Sequence, residues 1–572
     1  MAIVGIDLGT TNSLVAVMRD GLPETLANEL GDHLTPSAVA VAADGGILVG
    51  RAAKDRLVTE PRAGRAFFKR DMGTTSSYTF GGRTWTPTEC SALVLQELKR
   101  VAGLRLGARV DRAVISVPAY FRETQRHATA EAARIAGLGV ARILNEPTAA
   151  ALAFGYRAPD REKRLLVFDI GGGTFDVTVL NIFEGVIEVA ASGGESHLGG
   201  EDYTDALLER VLAACGLDRS HPAIGRIRQQ VEVLKRNLSG REKAGLVIDA
   251  HELVVSRREL EAAGEAITAR IRPVLVRCLR DAGIEAASID DVLLVGGASR
   301  MPLVRELVRR ELGREGNHAL DPDRVVGLGA AVQAALCEAD AHVEDVVLTD
   351  VCAHTLGIGI SKELAPGHHQ GGYFEPLIDR NTTVPVSRAK PFNTLHPNQD
   401  ELIVEVYQGE GRMVADNQLL GKLRVDGLRH RPGQNLPGVV EVRFSYDMNG
   451  LLEVEATVLH SGRQFRTVIE ERPGALTPAQ IEAAIQRLAP LKTHPRDRVL
   501  NRARLERAGR LYADLSGEAR EELAGLLDLF ESALETGDEA RWEEVGGMLD
   551  RLLSRYYREE GELQSPEGTA PS

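Results

Sequence analysis

Two stretches of this chain run an apolar strand into an aspartate and then turn on glycine and threonine. They are Val4-Gly5-Ile6-Asp7-Leu8-Gly9-Thr10-Thr11-Asn12 and Val167-Phe168-Asp169-Ile170-Gly171-Gly172-Gly173-Thr174-Phe175-Asp176. In each, an apolar run resumes past the turn, Leu14 to Val17 in the first and Val177 to Leu180 in the second. Glycines let backbone N–H groups approach phosphate oxygens closely, and such a turn can form an anion-binding concavity without a helix N-terminus. Each aspartate adds a carboxylate that could hold Mg²⁺ largely through waters. One such turn means little, because Asp and Gly populate hairpin turns for local reasons. Two copies in the same order point to a phosphate-binding cleft between two similar lobes.

A third glycine-rich turn, Gly296-Gly297-Ala298-Ser299-Arg300, follows the apolar run Val292 to Val295 and leads into a helix carrying Val304, Leu307 and Val308. Alone it is a tight strand-to-helix connection. Glu232, Lys235, Arg236 and Ser239 fall on one face of a helix whose other face carries Val231, Leu234 and Leu238. Such a face is ordinarily a solvated set of ion pairs; with Arg300 it could instead sandwich an adenine ring between aliphatic stems and guanidinium planes.

The elements that must position these groups alternate between β-type runs and amphipathic helices up to about residue 340, which predicts mixed α/β architecture. From about Thr355 to Glu471 the period becomes two, with Leu402, Val404 and Val406 alternating against Ile403, Glu405 and Tyr407, and Asn449-Gly450 marking a hairpin. That predicts a compact antiparallel β domain. After Pro473 the pattern is helical, opened by Thr477 and Pro478, with further helices from about Arg496, Ser516 and Asp538 and a tail expected to be disordered. The expected boundaries are 1–340 for the α/β block, 341–351 for a linker, 352–472 for the β domain, 473–560 for a helical segment and 561–572 for the tail. The linker run Val346-Val347-Leu348-Thr349, flanked by Asp345 and Asp350, reads either as an edge strand or as a segment docked in one state and exposed in another.

A length of 572 residues implies several compact units, and 43% hydrophobic with 26% charged residues are ordinary globular values. No apolar run is long enough to span a bilayer, and the N-terminus lacks a basic stretch and a long apolar one, so a cytoplasmic location is expected. The five cysteines lack metal spacing and read as small buried apolar residues. Acids outnumber bases, 82 to 68, which disfavours nonspecific nucleic-acid binding.

Over nearly its whole length the chain resembles the DnaK-type seventy-kilodalton heat-shock chaperones of bacteria. The resemblance is carried by Gly5 to Ser13, Phe67-Phe68-Lys69-Arg70, Val117-Pro118-Ala119-Tyr120-Phe121, Asn145 to Leu152, Phe168 to Asp176, His197 to Asp202, and Gly296 to Arg300. In the β region it continues through Arg380 to Pro385, Gln408-Gly409-Glu410 and Ala415-Asp416-Asn417. It implies a multidomain fold: an actin-like (ribonuclease H-like) ATPase with duplicated lobes, then an antiparallel β-sandwich that grips extended apolar peptides, then a short α-helical lid. It implies ATP or ADP with Mg²⁺ and K⁺ as cofactors. Asp7 and Asp169 would bind metal-coordinated waters, and Gly9, Thr10, Thr11, Asn12, Gly171, Gly172, Gly173 and Thr174 would cradle the phosphates. Lys69, Glu146, Asp169, Thr174 and Asp176 would serve catalysis. Gly199, Gly200, Glu201, Glu232, Lys235, Arg236, Ser239, Gly296, Gly297, Arg300 and Asp323 would complete the nucleotide site. Pro118 and Arg126 would relay to the linker, Arg142 and Asp350 would form the docking surface for a J-domain co-chaperone, and Ile358, Phe392, Leu395, Leu402 and Val404 would line the peptide pocket. Each of the last five also suits plain sandwich core.

The chain departs from the general pattern in places. Between Arg241 and Arg258 it is short where the family's exchange factor takes hold, so fast intrinsic ADP release and a dispensable exchange factor are expected. The stretch around Cys352-Ala353-His354, the short lid and the linker look most like the HscC branch. Sugar kinases and actin-like filament proteins share the two-lobed ATP fold, so an ATPase without chaperone coupling is the alternative; neither predicts the β and helical segments.

Overall fold

The computed structural model describes residues 2–42, 46–156, 162–183, 186–248, 251–317, 320–338, 347–365, 368–396, 399–428, 438–447 and 450–469, and towards the C-terminus 504, 508, 511–512, 515, 517–536 and 539–556. The chain divides into two compact units, Met1–Ala475 and Leu476–Ser572.

In the first unit the sequence repeat becomes two sheets built alike. The strand Ala2–Asp7 pairs antiparallel with Asn12–Arg19, and Leu22–Thr25 follows antiparallel. On the other side Val110–Val117 and then Gly139–Asn145 add in parallel. The second sheet repeats the plan: Lys163–Ile170 pairs antiparallel with Phe175–Phe183, then Val186–Glu195, while Asp291–Val295 adds in parallel. Asp169 and Asp176 face one another across the second hairpin.

The near-continuous apolar run Leu165 to Phe168 follows from burial on both faces of that sheet. Leu165 and Val167 pack with Ala149 to Ala153 and Val325. Their neighbours Leu166 and Phe168 point the other way, to Tyr203, Ile271 and Val304. Two helices, Glu146–Tyr156 and Val325–Cys337, join the sheets at their base. They approach so closely that a Cβ at Gly329 would lie 1.7 Å from the Ala149 carbonyl oxygen. This contact brings the two aspartate hairpins to opposite sides of one cleft.

A third core, with Leu207, Leu234, Leu238 and Leu260, unites the helices Gly200–Cys215, Ile224–Gly240 and Arg257–Ala263 with the hairpin Lys243–Ile248 and His251–Ser256. Farther along, two four-stranded antiparallel sheets enclose a core of Ile358, Val404, Val406, Val440, Phe444 and Val454. The strands Val439–Tyr446 and Leu452–Val458 form the expected hairpin, with Gly450 at φ 84° in its turn; Asn449 lies outside the described residues. Four of the cysteines are buried and all five are free.

In the second unit the helices Glu518–Thr536 and Glu539–Tyr556 bury Leu523, Phe530, Leu534, Trp542 and Leu549 together. The helix expected from Thr477 and the tail lie outside the described residues; of the helix expected from Arg496, Arg504, Ala508, Leu511 and Tyr512 are described, all four helical, and Ala508 and Leu511 join the same core. Among the described residues no helix is long and apolar enough to cross a membrane.

Candidate functional site

A cavity of about 320 Å³ lies in the cleft. Its lining brings together residues more than three hundred positions apart: Asp7, Gly9, Thr10, Thr11 and Asn12 from the first hairpin, Asp169, Gly171, Gly172 and Thr174 from the second, and Lys69 and Glu146 at the floor. Gly200, Glu201, Glu232, Lys235, Arg236 and Ser239, with Gly296, Gly297, Arg300 and Asp323, form the wall. Three expected residues do not line it. Gly173 packs on Thr10 and Arg70, Gly199 on Gly172, and Asp176 lies behind the floor, 1% exposed, accepting a hydrogen bond from the Tyr120 N–H at 3.0 Å.

The floor carries more negative than positive charge. Lys69 Nζ donates to Glu146 Oε1 at 2.6 Å, both side chains buried, with the ammonium 5.5 Å above the Phe121 ring. Asp7, steadied by the Ser116 hydroxyl at 2.9 Å, is pushed up to about 7 by burial and by Glu146, against the opposing pull of Lys69. Asp176 is likewise raised to about 7 by burial and Glu146, and burial with three carboxylate neighbours drives Asp169 upward. Buried carboxylates crowded around one ammonium call for a further cation. Among the described residues no three metal-ligating side chains converge on one point, which suits an ion held through waters and phosphate oxygens. The turns suit the anion: Thr11 Oγ1 is buried without a partner, and a Cβ on Gly172 would fall 1.8 Å from it. The residues therefore fit a magnesium-bound polyphosphate.

The wall is electrostatically complete. Burial would raise Glu232, but Lys235, Thr204 and Arg236 outweigh it and hold the carboxyl at about 2. Lys235 Nζ lies 2.6 Å from Glu232 and donates to Thr204 Oγ1 and the Gly200 carbonyl, each at 2.7 Å. Arg300 is shared by Asp321 at 2.7 Å and Asp323 at 2.8 Å.

Sequence reasoning missed several members. Leu34, Val295, Ala298, Met301, Pro322 and Val326 supply apolar lining, and Ser116 and Thr204 supply hydroxyls. Arg70 ties the lobes across the cleft, Nη2 to Asp202 Oδ2 at 2.6 Å; both residues stood inside recognised motifs without a role.

The residues expected to relay and to dock a co-chaperone lie at a second place. Val347–Leu348 adds in parallel to the edge strand Val186–Glu195, and the Asp350 carboxylate accepts from Asn145 Nδ2 at 2.8 and 2.7 Å and from the Val351 N–H at 2.8 Å. Arg126 bonds Asn145 Oδ1 and the carbonyls of Ala119 and Phe121, whereas Arg142 bonds Gln333 at 2.9 Å. Pro118 accepts from the Phe121 N–H at 3.1 Å. A sandwich turn adds Arg380, doubly bonded to Asp281 at 2.9 and 3.0 Å, and the end of the strand Val439–Tyr446 adds the Tyr446 hydroxyl on Glu123. Of the expected peptide-pocket residues, Ile358 and Val404 are in the sandwich core, Phe392 and Leu402 pack at its margin, and Leu395 is exposed.

Duplicated aspartate hairpins around a phosphate-shaped, acid-floored cleft define a two-lobed nucleotide-hydrolysing protein, here continued by a β-sandwich. The Hsp70 protein family model matches residues 3–80 and 76–524, and the chain is 39% identical over 499 residues to the chaperone protein DnaK of Mycoplasma mobile, covering 84% of this chain and 80% of that one. The chain belongs to the Hsp70 family and is an ATP-dependent molecular chaperone that hydrolyses ATP. A small-molecule kinase or an uncoupled actin-like ATPase is not favoured.

Proposed function

We propose that ATP hydrolysis in this cleft, through Lys69, Glu146, Asp169, Thr174 and Asp176, switches the grip of the β-sandwich on extended apolar segments of unfolded clients. The observation that carries this reading is the buried Lys69–Glu146 pair at 2.6 Å among otherwise unneutralised carboxylates. Lys69 places positive charge where the transferred phosphoryl group develops its negative charge, and Glu146 orients the ammonium. Asp7 and Asp169 would hold magnesium through waters, and bound magnesium would neutralise phosphate charge. The two glycine–threonine turns bind and orient the phosphates, Glu232, Lys235, Arg236, Ser239 and Arg300 hold the adenosine, and a K⁺ ion accompanies the phosphates.

The same reading assigns residues 1–340 to the ATPase, 341–351 to the linker, 352–472 to the peptide-binding domain and 473–560 to the lid, in a cytoplasmic protein of the HscC branch. Ile358, Phe392, Leu395, Leu402 and Val404 take client side chains as the sandwich margin opens. Arg142, Asp350 and their neighbours receive a J-domain co-chaperone, with Pro118 and Arg126 as the relay. The compact hairpin Lys243–Ile248 and His251–Ser256 supports rapid ADP release without an exchange factor; slow release strongly accelerated by such a factor would refute that part.

The deciding experiment is steady-state ATP hydrolysis by the full chain with and without a short apolar peptide, beside Lys69→Ala. Peptide-stimulated turnover that disappears in the variant is the expected result. Turnover indifferent to peptide would separate the ATPase from the chaperone cycle described here.

A further inference from the structure

Three successive carbonyls, of Ala119, Tyr120 and Phe121, lie where the ATPase lobe meets the β-sandwich. Arg126 of the ATPase lobe takes the outer two, at 3.3 and 3.4 Å. The middle one, of Tyr120, meets His354 Nε2 at 3.1 Å, and the two rings pack with centroids 4.2 Å apart. Since a carbonyl only accepts, Nε2 carries the proton. The Tyr120 N–H, at the residue's other end, donates to Asp176 Oδ1 at 3.0 Å. There is little slack, because a Cβ on Gly194 would fall 2.7 Å from Tyr120 Cβ and 2.5 Å from Asp176 Oδ1.

We propose that His354 is a positioning residue for ATP hydrolysis: from the sandwich side it holds Tyr120, and through Tyr120 the Asp176 carboxylate, in an arrangement that forms with a neutral imidazole and so makes docking sensitive to protons. The hydrolytic half rests on the role given to Asp176 above.

The surroundings explain the proton sensitivity. His354 is 5% exposed. Burial, reinforced by Arg122 and Arg126, pushes its imidazole down to about 4, although Glu410 and the Tyr120 carbonyl pull the other way. The acids facing it are already engaged. Glu410 accepts from the Thr355 N–H and hydroxyl at 2.9 Å and from Arg380, Glu123 from the Tyr446 hydroxyl, Asp350 from Asn145, and Asp447 from the Leu451 N–H. Cys352 gives its thiol to the His354 carbonyl. When the domains part, the imidazole regains water and its ordinary value near 6.5. The folded value is the lower one, so docking is fully supported above about 6.5 and weakens as pH falls below it. Linkage sets the docking constant to drop about tenfold between pH 7.5 and 5.5.

The test uses the full chain with Mg-ATP, reading two quantities from pH 5.5 to 8: the hydrogen-exchange protection factor of linker amides such as Thr349, which bonds the Ile187 carbonyl, and the single-turnover hydrolysis rate. Wild type should lose linker protection about tenfold towards pH 5.5. His354→Leu should lower the single-turnover rate at pH 7.5 about threefold or more, with the half-saturating ATP concentration within twofold. His354→Gln keeps an N–H donor but does not titrate, so it should rescue that rate and flatten the protection profile. A protection profile in His354→Gln that follows wild type overturns the proton dependence, and a wild-type rate in His354→Leu overturns the positioning role. Asp176→Asn separates the two readings. If it hydrolyses ATP normally, the assignment of Asp176 fails, while the protection profiles, which need no hydrolysis, still decide for or against His354.

Discussion

The floor and the wall of the nucleotide cleft are both lined with charge, yet they are finished to different degrees. On the wall each acid has its cation within the chain: Glu232 sits between Lys235 and Arg236, and Asp321 and Asp323 share Arg300. On the floor Asp7, Asp169 and Glu146, with Asp176 behind them, share Lys69, and the three aspartates are driven upward by burial and by Glu146, Asp169 also by Asp176 and Asp7. A wall needs only shape and steady polarity to hold a nucleoside. A floor that does chemistry keeps an electrostatic deficit that substrate and metal relieve, so its charge is strongest in effect when they are bound.

That contrast can be broken in several ways. The largest expected effect is from Lys69→Ala, which removes the floor's ammonium: single-turnover hydrolysis should fall about 10²–10³-fold, with ADP affinity changing far less. Isothermal titration beside rapid quench would check both.

Next, the raised values of Asp7 and Asp176 make the free protein's kcat/KM for ATP fall as pH drops through about 7, since a protonated Asp7 no longer holds a hydrated cation and a protonated Asp176 no longer offers its charge to the reaction. For stability the sign is opposite. The folded state binds these protons more tightly than the unfolded chain, so their contribution to the nucleotide-free fold is present at low pH and lost as pH rises from about 4 through 7. Asp176→Asn should therefore raise the Tm of the nucleotide-free protein by a few degrees, on the order of 1 kcal/mol or more, while impairing turnover. Scanning calorimetry at pH 8 would show it, and an unchanged or lower Tm would mean that the floor carries no such deficit.

On the wall the effects should be smaller and confined to binding. Glu232→Gln leaves Lys235 buried without its counter-ion and should weaken ADP binding about tenfold, with the hydrolysis rate of bound ATP near wild type. Arg300→Ala, at a more exposed pair, should weaken ADP about threefold and change stability by less than about 0.5 kcal/mol. A large kcat effect from either would erase the division between floor and wall.

Much of the floor was legible because its chemistry repeats within short stretches. Asp7 with Thr10 and Thr11, and Asp169 with Gly171 to Thr174, state a strand, a turn and a carboxylate within a few residues. Lys69 was legible only through its motif, since a lysine after two phenylalanines otherwise reads as a surface residue. Ser116 and Thr204 were not legible: one ends a parallel strand and the other sits on a helix, and neither has a local pattern around it. Asn145 belonged to a recognised motif, but its bond to Asp350 spans 205 positions and depends on where the linker lies.

The sequence by itself determined the two strand–turn–strand repeats, the polar face at Glu232 to Ser239, the period-two β region and family membership, because local sterics and periodicity write these into neighbouring residues. Only the tertiary structure decided that Glu146 stands close enough to raise Asp7, Asp169 and Asp176, that the Thr11 hydroxyl is left without a partner, and that His354 reaches the Tyr120 carbonyl. Each of these depends on distances between groups far apart in the chain, and electrostatic and hydrogen-bond energies follow distance and burial, which spacing along a sequence does not encode.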